Sequence, residues 1–292
     1  MTNLQMIFSP QRISSFRRCV TTNAVIAKRI LLSLVLLMIT TMMNNAHATP
    51  LQNGSHWITV NGHAMYYEVH GQGRPLLLLH GGGDSGMHSF ERQLHNFERN
   101  HQLILPDQVG QGRTPDVSGA LSYTAMMQDT LELLKSLKID KVDVVGFSDG
   151  GILGLMLAVR HPERVRRLVI SGVNIAPEGL TSNTLEELRA MPISESPSTV
   201  DEKLRNLWLS SPTEQELNLE LLSKINESVL VISGDRDVVT FEHTVQIYRA
   251  IPHAELCVLP NTDHEVFFTR ADWLNPIALS FLDRATPAHT SP

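Results

Sequence analysis

A serine set between two glycines, in the run Gly-Phe-Ser-Asp-Gly at residues 146–150, is the first pattern in this chain that suggests chemistry. A strand-like run ends at Phe147, and helix-forming residues begin at Ile152. A strand-to-helix turn this sharp strains the serine backbone and needs a glycine two residues to either side, so that no Cβ collides across the turn. The pattern therefore predicts that Ser148 is presented as a nucleophile.

A glycine-rich loop upstream has the composition needed to bind a developing negative charge. The apolar run 75–79 ends in His80-Gly81-Gly82-Gly83. In acyl-transfer enzymes a loop of this kind turns a backbone N–H toward the oxygen of the tetrahedral intermediate, and glycine permits the close approach. We predict that the N–H groups of Gly82 and of Asp149, the residue after the nucleophile, form the oxyanion hole.

An acid and a base follow the serine in the order that this chemistry requires, each after a later apolar run. Asp237 lies beyond the run 228–233, and His264 lies beyond the run 255–259. A histidine must accept the serine proton and return it to the leaving group, while a carboxylate holds the other ring nitrogen. We assign these roles to His264 and Asp237, and interpret Asp235 as a turn residue.

Histidine alone is a weak signal here, because the chain contains thirteen of them. Only His264 comes directly after the last predicted strand. His243, on the helix predicted after Asp237, is the nearest competitor for the role of base. Eight other histidines are interpreted as surface or turn residues: His56, His63, His70, His88, His95, His101, His161 and His253.

The elements that must position these groups alternate along the chain. Apolar strands separated by amphipathic helices indicate a mostly parallel sheet with helices on both faces, which is an α/β fold. A more polar strand pair at 56–70 is expected to be antiparallel at one edge. The other predicted strands are 76–79, 102–106, 142–147, 166–171, 228–233 and 255–259, and the predicted helices include 88–98, 122–138 and 150–160.

The alternation stops between residues 174 and 226, where the sequence predicts short helices and no strand. The predicted helices span 185–190, 200–209 and 213–224. We expect this insertion to form a short lid over Ser148 that supplies part of the substrate pocket. The candidates to line that pocket are Met191, Leu207, Trp208 and Leu209, and we assign a substrate contact to Trp208. The alternative for all four is lid core, because apolar residues at helical spacing more often pack there.

Together these motifs resemble the α/β-hydrolase superfamily over residues 55–285. The residues that carry the resemblance are 80–82, 107–112, 146–151, 234–237 and 263–264. The elbow Ser-Asp-Gly-Gly, followed by Ile152 and Leu153, is similar to the branch that contains valacyclovir hydrolase-like esterases. Val109 and Asp263 depart from the pattern of many relatives, which have Arg and Gly there, but neither departure removes a catalytic atom.

The first 48 residues have the composition of a secretory signal peptide. A basic stretch that ends at Arg29 precedes an apolar run at 30–43 and then Ala46-His47-Ala48. This order matches the n-region, h-region and cleavage site of such signals. We expect cleavage after Ala48, a hydrolase domain at 49–292 and a periplasmic or secreted product. The alternative is an uncleaved signal anchor that tethers the protein to the membrane.

Charge and cysteine content limit the classes of partner. The leader holds five of the 24 basic residues and none of the 30 acidic ones, which leaves the mature chain with a formal charge of −11. Such a surface disfavours nucleic acid and, after signal removal, anionic membranes. Cys257 is the only cysteine left, on a strand predicted to be buried, so no intrachain disulfide is expected. No metal-ligand spacing or phosphate loop occurs, so no cofactor is implied, and the oligomeric state is left open.

Three functions fit these patterns. The leading one is a serine hydrolase that cleaves a small carboxylic ester through an acyl-enzyme. The second is lactonase, amidase, thioesterase, perhydrolase or carbon–carbon bond hydrolase chemistry on the same residues, because one fold and triad serve many reactions. The third is a non-catalytic ligand-binding relative.

The side chain of Asp149 is unusual beside a site that must stabilise negative charge. One interpretation is that the carboxylate favours the first turn of a helix through the helix dipole. The other is that it faces the pocket and pairs with a cationic group of the substrate.

Overall fold

The computed structural model describes residues 51–191 and 199–285. The predicted leader and its cleavage site lie outside these residues, as do residues 192–198 of the predicted lid. No helix within the described ranges is long and apolar enough to cross a membrane.

Eight strands form a single sheet in the order β1-β2-β4-β3-β5-β6-β7-β8. The first two strands pair antiparallel at one edge, β2 pairs antiparallel with β4, and all later neighbours are parallel. The strands are β1 (Gly54–Val60), β2 (His63–Gly71), β3 (Arg74–Leu79), β4 (His101–Pro106), β5 (Val142–Phe147), β6 (Val165–Ser171), β7 (Ser228–Gly234) and β8 (Ala254–Leu259).

Ten α-helices of the described ranges connect and cover these strands. They are α1 (Gly86–Ser89), α2 (Glu91–Phe97), α3 (Tyr123–Ser136), α4 (Asp149–Arg160), α5 (Ser182–Ala190), α6 (Val200–Ser210), α7 (Leu219–Leu222), α8 (Phe241–Ala250), α9 (Val266–Thr269) and α10 (Ala271–Leu282). Of these, α5, α6 and α7 belong to the predicted lid insertion. Two single turns of 3₁₀ helix lie at Pro162–Arg164 and Pro177–Gly179.

The sheet separates two apolar cores because successive side chains of a strand point to opposite faces. Leu77 and Leu79 of β3 join the core that includes α3, α4 and α8, whereas Leu76 and Leu78 join the core that includes α2, α9 and α10. Burial on both faces explains why the central strands read as continuous apolar runs. The predicted α/β fold, with an antiparallel pair at one edge, is thereby confirmed.

The structure differs from the predicted elements in three places. The helix predicted at 88–98 is interrupted at Phe90, which leaves helical geometry so that its buried ring meets Phe267 edge-on. Of the helix predicted at 213–224, only α7 forms, since the Asn218 side chain caps a new start by accepting from the Leu221 N–H. Cys257 is only half-buried, because β8 is an edge strand with one neighbour.

Candidate active site

Ser148 lies in the turn between β5 and α4, with left-handed backbone geometry at φ 51°. That region is strained for a residue with a side chain, and it points the serine out of the turn. The two flanking glycines are required by space. A Cβ added at Gly146 would lie 2.4 Å from the Gly150 carbonyl oxygen, and one added at Gly150 would lie 2.0 Å from the Leu79 carbonyl oxygen.

The structure brings Ser148, His264 and Asp237 into one hydrogen-bonded chain. His264 Nε2 lies 3.0 Å from Ser148 Oγ, and His264 Nδ1 lies 2.6 Å from Asp237 Oδ1. Because an ionised carboxylate only accepts, Nδ1 carries the hydrogen and Nε2 presents its lone pair to the serine. The three residues follow β5, β7 and β8, whose carboxyl ends lie along the same side of the sheet.

Asp237 and Asp235 have different surroundings. These fit the prediction that Asp237 is the partner of His264 and Asp235 a turn residue. The Asp237 side chain is 1% exposed, and besides His264 it accepts the backbone N–H of Val239 at 3.0 Å. Asp235 accepts the backbone N–H of Thr262 at 3.0 Å. It therefore ties the loop after β7 to the loop that carries His264.

Two opposing effects set the basicity of His264. Burial lowers the pKa of the ring, but the hydrogen bond and negative charge of Asp237 outweigh it, with smaller contributions from Glu265 and Asp149. The net result is a pKa above the ordinary value for histidine. A base of this kind is poised to take a proton from a serine near neutral pH.

His243, the alternative base, makes a hydrogen bond away from Ser148. Its Nε2 accepts the backbone N–H of Ile175 at 3.0 Å, so its lone pair faces the loop after β6 rather than Ser148. Burial lowers the pKa of this ring, which keeps it in the neutral form that can accept.

The glycine-rich loop after β3 leaves one backbone donor without an acceptor among the described residues. The Gly81 N–H donates to Ser89 Oγ at 3.3 Å, and the Gly83 N–H donates to Gln111 Oε1 at 2.7 Å. The Gly82 N–H between them has no such partner. The Asp149 N–H, at the first position of α4, has no intrahelical acceptor either. These are the two donors that the sequence predicts for the oxyanion hole.

The Asp149 carboxylate is buried and bound by two protein donors. Tyr123 donates its hydroxyl hydrogen at 2.8 Å, and Trp208 of α6 donates its Nε1 hydrogen at 2.9 Å. Burial raises the pKa of Asp149, and these two hydrogen bonds offset only part of that effect. The contact with Trp208 ties the lid to the nucleophile turn, and Tyr123 is a site residue that no local motif signals.

Ser148 lies between a smaller chamber and a larger, more open groove. The chamber has a volume of about 230 Å³ and the groove about 610 Å³. Lid residues Thr184, Leu188 and Trp208 close the chamber, whose other lining includes Asp149, Asn174 and Val239. The groove is lined by Asp84, His88, Asp263, Glu265 and Phe268. Of the predicted apolar lid residues, Trp208 contacts the chamber, Leu207 is buried in the core and Met191 is exposed.

A larger surface depression, of about 770 Å³, lies near Asn61, His161 and Arg164. Its lining contains no serine, threonine or cysteine, so it offers no side-chain nucleophile of that kind. Among the described residues, no group of three or more His, Cys, Asp or Glu side chains is placed to hold a metal ion.

Comparison with known families agrees with this architecture. Residues 74–206 match the family model for the alpha/beta hydrolase fold. The chain has the α/β-hydrolase fold. The matched segment contains the glycine-rich loop and Ser148 but ends before Asp237 and His264, which the fold brings to the serine.

The chain is similar to proteins whose names state different hydrolytic activities. Human serine hydrolase BPHL is 26% identical over 249 residues, which cover 77% of this chain and 85% of that protein. A putative carbamate hydrolase RutD from Azorhizobium caulinodans is 34% identical over 134 residues, or 46% of this chain and half of that protein. The solved enol-lactonase from Burkholderia xenovorans LB400 is 20% identical, with a TM-score of 0.66 over 78% of this chain and all of its own.

Proposed function

We propose that this hydrolase cleaves a small carboxylic ester through an acyl-enzyme intermediate. The observation that carries the proposal is the continuous contact from Ser148 Oγ through the His264 ring to Asp237. Likeness to the human serine hydrolase over most of both chains supports it. The buried Asp237 and the two free backbone donors beside Ser148 have no comparable use in a protein that only binds ligand.

In the proposed mechanism, Ser148 Oγ attacks the ester carbonyl carbon while His264 Nε2 takes the serine proton. The carbonyl oxygen gains the negative charge and accepts hydrogen bonds from the N–H groups of Gly82 and Asp149. As the tetrahedral intermediate collapses, His264 returns the proton to the leaving alcohol and the acyl group stays on Ser148. Water, activated by the same ring, then releases the acid. Asp237 holds the ring and stabilises its charged form throughout.

The sizes of the two spaces beside Ser148 suggest how substrate is placed. We propose that the acyl group enters the smaller chamber and that the leaving group occupies the more open groove. At about 230 Å³ the chamber is smaller than the roughly 300–1,000 Å³ of pockets that enclose drug-sized ligands. A short or compact acyl group is therefore favoured, whereas the groove leaves the alcohol less restricted.

A panel of p-nitrophenyl esters of increasing acyl length, run beside lactones, carbamates, amides and aminoacyl esters, tests the proposal. We expect short esters to give the highest kcat/KM. Ser148→Ala and His264→Ala should each lower kcat by roughly 10⁴-fold or more, and Asp237→Asn somewhat less, because the three residues act as a unit. Near wild-type turnover by Ser148→Ala would contradict the proposal. A preference for lactones or carbamates would agree with the proposed triad but would replace esters as the proposed substrate class.

A cationic acyl group is a second candidate, favoured by the buried carboxylate in the chamber wall. Asp149 lies beside Ser148 and His264 in that wall. Its Oδ1 accepts from both Tyr123 and Trp208, whereas its Oδ2 accepts only from Trp208 and keeps a second lone pair. An α-amino ester should then have a higher kcat/KM than its des-amino analogue, and Asp149→Asn should erase the difference. Equal losses of kcat/KM on both substrates would mean that Asp149 acts only through its hydrogen bonds to Tyr123 and Trp208.

We also propose that the protein is exported and that its leader is removed after Ala48. The order of basic stretch, apolar run and Ala46-His47-Ala48 supports this proposal.

A further inference from the structure

His80 precedes the oxyanion loop in the sequence, and its ring is buried directly behind that loop. The residue is 1% exposed and makes two hydrogen bonds, neither of them to Ser148, Asp237 or His264. Nδ1 lies 2.7 Å from the Gly81 carbonyl oxygen, and Nε2 lies 2.9 Å from the backbone nitrogen of Gln108.

These two contacts determine where the ring carries its hydrogen. A carbonyl oxygen only accepts, so Nδ1 must donate to Gly81. A backbone N–H only donates, so Nε2 must accept from Gln108. The buried ring is therefore neutral and in the Nδ1–H form, and it joins the oxyanion loop to the loop after β4.

The contact with Gly81 fixes the direction of the neighbouring Gly82 N–H. The carbonyl of Gly81 and the N–H of Gly82 belong to one planar trans peptide and point in opposite directions. With the Gly81 carbonyl held by His80 on one side, the Gly82 N–H is turned to the other. The loop lies against the nucleophile turn, since a Cβ added at Gly81 would be 3.6 Å from Ser148 Cβ.

We propose that His80 is a positioning residue that orients the Gly82 N–H toward the substrate oxygen. Gly81 and Gly83 donate their own N–H groups to Ser89 and Gln111, so the loop is anchored on either side of this peptide. Without the hydrogen bond from His80, the peptide plane between Gly81 and Gly82 is free to rotate. The Gly82 N–H then no longer points toward the substrate oxygen. The role rests on the proposed function, because it matters only if a tetrahedral oxyanion forms.

Two substitutions separate the contacts of the ring. In His80→Asn the side-chain NH₂ takes the place of Nδ1, which keeps the donor to Gly81 and loses the contact with Gln108. In His80→Gln the side-chain oxygen reaches the place of Nε2, which keeps the acceptor for Gln108 and loses the donor to Gly81. His101→Gln is the matched control, because His101 is equally buried but its Nδ1 contacts the Phe97 carbonyl, away from the site.

We expect His80→Gln to lower kcat by about 10- to 100-fold with little change in KM, a smaller loss than the roughly 10²- to 10³-fold cost of removing an oxyanion donor outright. Its affinity for a boronic acid, whose adduct on Ser148 places an oxygen at the same position, should fall in parallel. His80→Asn should keep most of the wild-type kcat, and His101→Gln should stay within about twofold of it.

Equal kcat losses in His80→Asn and His80→Gln, or none in either, would overturn the role of His80. If neither variant folds, ring ¹⁵N chemical shifts of the wild type decide. The Nδ1–H form supports the proposal, and an Nε2–H or doubly protonated ring overturns it. A wild-type enzyme without Ser148-dependent hydrolysis would instead contradict the proposed function, which the tautomer of His80 leaves untouched.

Discussion

At the residue scale, the pKa of His264 depends on two carboxylates that lie on different sides of the ring. Asp237 lies behind the ring and makes the contact at 2.6 Å, whereas Glu265 is exposed at the rim of the groove. Both carboxylates raise the pKa of His264 and so oppose the effect of burial. The ring accepts a proton from Ser148 only when it is neutral, so these charges set the lower pH limit of activity.

Neutralising Glu265 should move that limit in a defined direction. Because the negative charge of Glu265 raises the pKa of His264, Glu265→Gln should lower this pKa and shift the acidic limb of the kcat/KM profile to lower pH. The plateau at higher pH should change little. Glu163→Gln, at an exposed position far from the site, is the control and should leave the limb in place. A limb that moves to higher pH in Glu265→Gln would refute this account of the ring.

At the element scale, the turn between β5 and α4 has little room for larger side chains. It is pressed against the end of β3, where the Gly150 backbone approaches the carbonyl oxygens of Leu79 and His80. Backbone atoms cannot move aside as the end of a side chain does. The lid approaches the same turn from the other side, since Trp208 of α6 binds the Asp149 carboxylate.

Gly150→Ala should therefore destabilise the protein. The added Cβ would lie 2.0 Å from the Leu79 carbonyl oxygen, and we expect a loss in the free energy of unfolding of at least about 3 kcal/mol, the upper end of ordinary overpacking. Gly154→Ala in the same helix is the matched control. Its Cβ would lie 2.8 Å from the end of the flexible Leu168 side chain and in ordinary contact with Val144 at 3.5 Å, and alanine favours the helix by about 1 kcal/mol. Urea denaturation of both variants measures the difference, and equal losses would contradict the argument.

At the scale of the whole molecule, residues far apart in the chain meet because parallel strands end on one side of the sheet. Ser148, Asp237 and His264 each follow such a strand, so their convergence is predictable once the strands are found. The apolar runs and the glycines at 146 and 150 are local signals, and they predict the fold and the order of these groups well.

Contacts between distant side chains leave no comparable signal in the sequence. Nothing near Asp149 indicates that Tyr123 and Trp208, 26 and 59 residues away, bind its carboxylate. His80 and Gln108 each lie in a motif, but nothing in either motif indicates that the two side-by-side loops are joined by this hydrogen bond across 28 residues. The failed prediction at 213–224 has a related cause, because Asn218 uses its side chain as a cap where helix-forming neighbours suggest continuity.

The proposed export concerns the whole chain, and it predicts a specific product. Intact mass and N-terminal sequencing of the protein recovered from the periplasm or medium should show a chain that begins at Thr49. The physical reason is that the apolar run 30–43 is shorter than the roughly 20 residues that span a bilayer, and small residues follow it at the cleavage site. Recovery of the uncleaved chain from the membrane fraction would favour the signal anchor instead.

The central claim is that Ser148 is a nucleophile activated by His264 and Asp237. The most direct measurement is reaction of the purified protein with a fluorophosphonate, followed by peptide mass spectrometry to locate the adduct. We expect one adduct per chain on Ser148, formed far more slowly in His264→Ala and absent in Ser148→Ala. An unmodified Ser148, or labelling that is equally fast without His264, would contradict the account.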